Sequence, residues 1–141
     1  MSERHRIIGA AMLILRDGEH VLLSLRKNTG YRDGDYGLVS GHLEQGETFL
    51  QGAIREAHEE IGIILRSEDV QFVHASHRST DGYVYFYFTA SHWSGEIQNK
   101  EPEKCDDLRW FPLKELPENT IPYIADALIA IQESRTYSEH D

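Results

Sequence analysis

The most constraining feature of this chain is a glycine-spaced loop running directly into a helix, from Gly41 to Ile63. Thr48 and Gln51 stand three residues apart, the spacing at which each side chain caps a backbone N–H near the other and starts a helix. Gly62 offers the residue without Cβ that a left-handed helix stop needs. At about 100° per residue, Leu50, Ala53, Ile54, Ala57 and Ile61 share one face, which must pack against a core. Glu56, Glu59 and Glu60 share the adjoining arc. Three carboxylates therefore crowd the edge of a buried stripe.

That crowding is costly. Like charges three or four residues apart cost about 0.2–0.5 kcal/mol per pair on an exposed helix, and more when half-buried. A merely solvated acidic face is usually interleaved with Lys or Arg one turn on. Here Arg55 is the only full cation in the helix, and ideal geometry sets it on the side of Glu59 away from Glu56 and Glu60. A divalent cation would relieve the repulsion, and hard oxygen donors favour magnesium, manganese or calcium. The histidines show no paired ligand spacing, so zinc is not expected.

Gly41, then Glu47, then Arg55-Glu56-Ala57 with Glu59-Glu60 and Gly62-Ile63, resembles the Nudix box with every fixed position filled. The resemblance implies a layered α/β/α sandwich with a mixed β-sheet. It also implies magnesium-dependent hydrolysis, with manganese as a substitute, of a diphosphate linkage in a nucleoside diphosphate derivative. Carried over by position, Glu59 and Glu60 would be the principal metal ligands, and Glu56 a third ligand or the general base. The Gly41 carbonyl would add a ligand, while Arg55 and Glu47 would pair to brace loop against helix. A further carboxylate from a downstream loop would be Glu101 or Glu103. Arg26, at a strand end before the box, is similar to a position that touches substrate phosphate. His42 is not fixed by the motif and receives no role.

The rest of the chain bounds this reading. Its 141 residues suit one domain, 1–141, large enough for a core without staples. A formal net charge of -10 argues against nucleic-acid polymers and anionic membrane surfaces as partners. The expected partner is a small nucleotide, with the protein a monomer or homodimer. Cys105 is alone, so no internal disulfide is expected. No apolar N-terminal run resembles a signal peptide or membrane span, and a cytoplasmic protein is expected.

Along the chain, residues 6–15 read as a buried strand, Asp17-Gly18 as a hairpin turn, and His20 to Leu25 as the return strand. Tyr36 to Ser40 read as one short strand into the box. Two strands, 70–76 and 83–92, turn around Asp81-Gly82. In the second, Val84, Phe86 and Phe88 alternate with Tyr83, Tyr85 and Tyr87. The tyrosine face fits either a cleft or a second layer. Asp107 to Pro112 read as a strand, a last helix is expected from Asn119 or Thr120, and the final polar residues are expected to fray.

Substrate choice rests on weaker marks. Leu116 to Asn119 resembles the corresponding segment of MutT-type nucleoside triphosphate pyrophosphatases, in which an asparagine reads a purine edge. An asparagine before Thr120 is also an ordinary helix cap, and that is the first reading of such a residue. The preferred expectation is a nucleoside triphosphate cleaved to monophosphate and pyrophosphate, its base among aromatics such as Tyr31, Tyr36 or Trp93. The alternatives are nucleotide sugars, ADP-ribose or other diphosphate conjugates, and lastly a non-catalytic metabolite sensor, which would be expected to have lost box carboxylates.

Overall fold

The computed structural model describes residues 3–140; the two N-terminal residues and Asp141 lie outside it. Eight strands form one mixed sheet: β1 (Ile8–Asp17), β2 (His20–Arg26), β3 (Tyr36–Gly37), β4 (Val39–His42), β5 (Gln71–Arg78), β6 (Tyr83–Ala90), β7 (Cys105–Pro112) and β8 (Tyr137–His140). Helix α1 (Phe49–Ile61) covers one face and α2 (Pro122–Gln132) the other. This is the α/β/α sandwich that the box resemblance implies.

β1 is the spine. Ala10 to Leu15 are all buried, and their alternation splits them between two cores. Ala10, Met12 and Ile14 pack with Val21, Leu23, Ile124 and Leu128 under α2. Ala11, Leu13 and Leu15 pack with Ala53, Ala57, Ile61 and Phe88 under α1. A strand apolar on both faces belongs in the middle of a sheet covered twice. β1 pairs in parallel with β6, from Ile8↔Tyr83 to Leu15↔Ala90, and antiparallel with β2 and β4. Phe86 and Phe88 face the α1 side, while Tyr85 and Tyr87 lie buried beneath α2. The tyrosine face is thus divided: Tyr87 is wholly inside the second layer, while Tyr83 and Tyr85 also line a cavity.

Three expectations change. Tyr36 to Ser40 is not one strand: Tyr36 and Gly37 pair with β2, then Val39 to His42 pair with β1. The segment switches partners at Leu38 and delivers the box loop to the middle of the sheet. The last helix starts at Pro122 with no side-chain cap. Asn119 donates to the Gly34 carbonyl (2.9 Å) and Thr120 to the Pro117 carbonyl (2.7 Å), so neither side chain faces the helix, and Pro122 presets the first turn instead.

The third change is at the C-terminal end, where Tyr137–His140 form a parallel strand on β5 rather than fraying. Buried His74 on β5 fixes it, with Nδ1 2.9 Å from the Arg135 carbonyl and Nε2 2.8 Å from Ser138 Oγ. A carbonyl only accepts, so Nδ1 carries the proton and the Ser138 hydroxyl donates to Nε2. Ser138 Oγ in turn lies 3.3 Å from His140, whose other ring nitrogen is 3.5 Å from Asp126 on α2. Polar residues can thus be ordered by one buried imidazole. Among the described residues no helix is long and apolar enough to cross a membrane.

Candidate active site

The box loop and α1 follow their local chemistry. Thr48 Oγ1 accepts from the Gln51 N–H at 3.1 Å while Gln51 accepts from the Thr48 N–H at 2.9 Å. Gly62 closes the helix at φ 76, in the left-handed region that favours glycine. Gly41, on β4, lies so close to α1 that a Cβ there would overlap the Glu56 carboxylate. Only glycine lets the backbone approach that side chain.

Arg55 organises the acids. Its guanidinium grips Glu47 in bidentate fashion (2.7 and 2.9 Å) and donates to the His42 carbonyl (3.1 Å), tying loop to helix as expected. It also reaches Glu56 (2.9 Å) and Glu59 (3.1 Å), which corrects the ideal-helix expectation that it points away from Glu56. A long side chain bends across one turn to gather several carboxylates. Its pairing, with Glu47 foremost, raises the Arg55 pKa and lowers that of Glu47.

Among the described residues Glu60 pairs with no cation, and the backbone bond it accepts, from the Ser40 N–H, is long at 3.3 Å. Burial first, then the hydrogen bond and charge of Glu56 and the charge of Glu101, push its carboxyl well above the usual range. Glu56, Glu59, Glu60 and Glu101 line one cavity of about 410 Å³, with Arg26, Ser24, Ser40, Lys104 and Cys105 among the other residues of its wall. Glu103 does not line it; its carbonyl accepts from Asn28 instead (3.1 Å).

These residues fit a hard divalent cation. The donors are carboxylate oxygens, one of them buried without a counter-charge, and the glycine beside them keeps the backbone close. Among the described residues no three acidic, imidazole or thiol groups are already gathered at ligand spacing. Arg55 holds an oxygen of Glu56 and one of Glu59.

A second cavity, of about 490 Å³, adjoins the first and shares Arg26 and Ser40 with it. Ala10 and Met12 contribute to its lining, as do Tyr31, Tyr83, Tyr85 and Tyr123, with His42 and Asp81 also present. Three rings form a continuous stack: Tyr83 on Tyr85 (5.5 Å, 11°) and Tyr85 on Tyr123 (4.7 Å, 13°). The Tyr31 and Tyr123 hydroxyls lie 3.2 Å apart. Arg26 sits 5.6 Å from the Tyr31 ring and donates to the Tyr31 carbonyl at 2.8 Å. Of the aromatics expected around a base, only Tyr31 lines this cavity. Tyr36 is buried in the α2-side core with its hydroxyl on Asp107 (2.6 Å). Trp93 stacks on Trp110 on the α1 side (6.2 Å). Asn119 lines neither cavity, its amide being spent on Gly34.

Sequence reasoning missed Tyr123, His42, Asp81, Ser40 and Lys104. The alternating tyrosines of β6 were the one local sign of the aromatic wall. The others come together only through long-range packing.

Comparison with known proteins agrees with this architecture. The NUDIX domain model matches residues 5–130, and the chain belongs to that family. A MutT NUDIX hydrolase from Burkholderia pseudomallei superposes with a TM-score of 0.79 at 25% identity, covering 89% of this chain and 98% of that one. The NAD-capped RNA hydrolase NudC of Actinobacillus succinogenes is 34% identical over 125 residues, 82% of this chain and 46% of its own length. The protein of the same name from Vibrio parahaemolyticus is 30% identical over 112 residues, covering 79% of this chain and 41% of its own. The chain thus spans less than half the length of these curated relatives, and hydrolase is the class of enzyme that all three names share.

Proposed function

We propose that this chain is a divalent-metal-dependent hydrolase of a diphosphate linkage in a small nucleotide derivative, acting as a single domain in the cytoplasm. The observation that carries this reading is the junction of the two cavities: four carboxylates line one, tyrosines line the other, and Arg26 and Ser40 stand between. Glu59, Glu60 and the Gly41 carbonyl would hold magnesium or manganese, with Glu101 the later-loop ligand and Glu56 beside them as the general base. The bound cation supplies positive charge against phosphoryl oxygens that the -10 protein would otherwise repel.

The chain's own residues do the rest. Arg26 orients a phosphate at the cavity junction, where its contacts to Tyr31 hold it in place. Glu56 accepts a proton from the attacking water as the new P–O bond forms and the bridging P–O bond breaks. The Arg55–Glu47 pair keeps the Gly41 loop against α1, and so keeps the carboxylates in register. The base rests against Tyr31 and the Tyr83–Tyr85–Tyr123 stack.

A nucleoside triphosphate, cleaved to monophosphate and pyrophosphate, remains the finer reading, with base selectivity weaker than an asparagine reader would give. A free nucleotide is favoured over an RNA-linked one by the net charge. The relatives' names favour a second reading, a dinucleotide of the NAD class. The test is catalytic efficiency with magnesium on triphosphates against NAD, ADP-ribose, nucleotide sugars and dinucleoside polyphosphates. A preference for any of the latter by tenfold, about 1.4 kcal/mol in the transition state, rejects the triphosphate reading. No turnover on any of them rejects the hydrolase.

A further inference from the structure

We propose that Arg78, on β5, is a positioning residue for nucleotide binding that holds the Tyr31 side chain in place at the aromatic cavity, an inference that rests on the reading of the cavities just given. Arg78 lines neither of the two cavities. It pairs across the strands with Tyr83, so the two side chains share the α2 face of the sheet. Its guanidinium carbon stands 4.8 Å from the centre of the Tyr123 ring. That ring is stacked in turn on Tyr85, the middle member of the aromatic stack.

For a largely buried arginine, Arg78 is poorly satisfied. Its side chain is only 17% exposed, and its Nε is buried without a hydrogen-bond partner. Its ion-pair partner among the described residues, Asp81, lies 3.6 Å away, beyond hydrogen-bond reach. One side-chain hydrogen bond is found among the described residues: Nη1 donates to the Tyr31 hydroxyl at 3.3 Å. A guanidinium taken out of water needs its donors filled, and an apolar side chain would serve packing alone as well or better. The contact that Arg78 does make leads to a residue lining the aromatic cavity.

The backbone of Tyr31 is held independently. Asp33 accepts from the Thr29 and Gly30 N–H groups (3.1 and 3.0 Å), and the Tyr31 carbonyl accepts from Arg26 Nε and Thr29 Oγ1 (2.8 and 2.9 Å). The Gly34 N–H closes the loop on the Arg26 carbonyl at 2.8 Å. The side chain has fewer ties, for Tyr31 is 44% exposed. Its hydroxyl meets Tyr123 Oη at 3.2 Å and Arg78 Nη1 at 3.3 Å. A phenol has one proton to give and lone pairs to receive, so it donates to Tyr123 while accepting from Arg78. Arg78 therefore touches both cavity rings that come from outside the sheet, one on a loop and one on α2. A base entering among them meets a wall already in place, and its binding does not include the cost of ordering Tyr31.

The test is calorimetric titration, in magnesium, of a nucleoside triphosphate with a non-hydrolysable α,β-bridge and of inorganic tripolyphosphate, which has no base. Arg78→Met keeps an apolar stem and removes the donors, while Tyr31→Phe keeps the ring and removes the hydroxyl. Each should weaken the nucleotide about fivefold, part of what stacking supplies, and leave tripolyphosphate within about twofold. Together they should again cost about fivefold, against the roughly 25-fold of independent sites. Arg66→Ala, at an exposed arginine paired with Asp69, should change neither ligand. Tyr31→Phe decides alone if Arg78→Met does not fold, since it must still weaken the nucleotide and spare tripolyphosphate. Losses that multiply in the double variant, an equal loss of tripolyphosphate, no loss of the nucleotide, or no nucleotide binding by the unmodified protein would each overturn the proposal. Turnover of ordinary triphosphates, measured separately, decides the hydrolase reading whichever way the titrations fall.

Discussion

Of the two cavities that meet at Arg26 and Ser40, the first draws most of its chemistry from one turn of α1, and the second collects residues from β1 to α2. Glu56, Glu59 and Glu60 are neighbours in sequence, and their helix is capped at both ends by its own residues. Tyr31, Tyr83 and Tyr123 are brought together only when the sheet and α2 are complete. The first site holds charge in a tense arrangement, with Glu60 uncompensated; the second is a relaxed stack of rings. Catalytic charge can be set by a short rigid motif, while recognition can be distributed over the fold and varied one contact at a time.

The sharpest way to break this contrast is to neutralise the carboxylates. Glu59→Gln or Glu60→Gln should lower kcat by at least about 100-fold, more than the loss typical of residues behind a metal ligand. Thermal stability should not fall, because repulsion is removed as well. Full activity in either variant would show that the carboxylate cavity is not where the reaction occurs. Glu56→Gln sharpens the picture further: as the base it should lose turnover while keeping magnesium affinity, and a loss of both would make it a ligand.

The aromatic cavity should answer differently. Tyr31→Ala should raise KM about tenfold, within the ~1–3 kcal/mol that stacking supplies, and leave kcat nearly unchanged. A fall in kcat with KM intact would mean that the ring positions Arg26 for chemistry rather than the base for binding.

The smallest effects are in pH. Glu60, raised by burial above its ordinary 4.5, destabilises the metal-free fold increasingly as pH rises past that value, because the unfolded chain ionises more readily. The thermal-melting advantage of Glu60→Gln should therefore vanish in acid and grow toward neutrality. His74 has the opposite sense, since burial lowers it below 6.5 and the folded state keeps it neutral. Its contribution is present above 6.5 and lost as pH falls, so exchange of the β8 amides should quicken in mild acid. Unchanged β8 protection there would separate the strand from the imidazole that contacts it.

What the sequence revealed follows the same division. The capping box, the Gly62 stop, the Glu47–Arg55 brace and the apolar stripe of α1 depend on residues within a few turns, and each is found as read. The alternating apolar and hydroxylated faces of β6 were legible, though not which tyrosines would meet α2. Tyr36 and Asn119 were reasonable choices for their chemistry, but a hydroxyl on Asp107 and an amide on Gly34 are long-range bonds that spacing does not show. β8 is not legible because its order comes from pairing with β5 and from the contacts of His74, both far away in sequence. Arg55 was misplaced because a straight helical projection ignores how far a guanidinium can bend.

The paired indoles have a practical consequence. Trp93 and Trp110 are the only tryptophans in the chain, and both belong to the α1 side with Leu108, which lines the carboxylate cavity. The aromatic cavity holds tyrosines and no indole. Indole emission therefore originates in the layer that backs the carboxylate cavity, through Leu108, and is set apart from the tyrosine-lined cavity, so that a change in emission on adding a cation would report on the α1 side without a label.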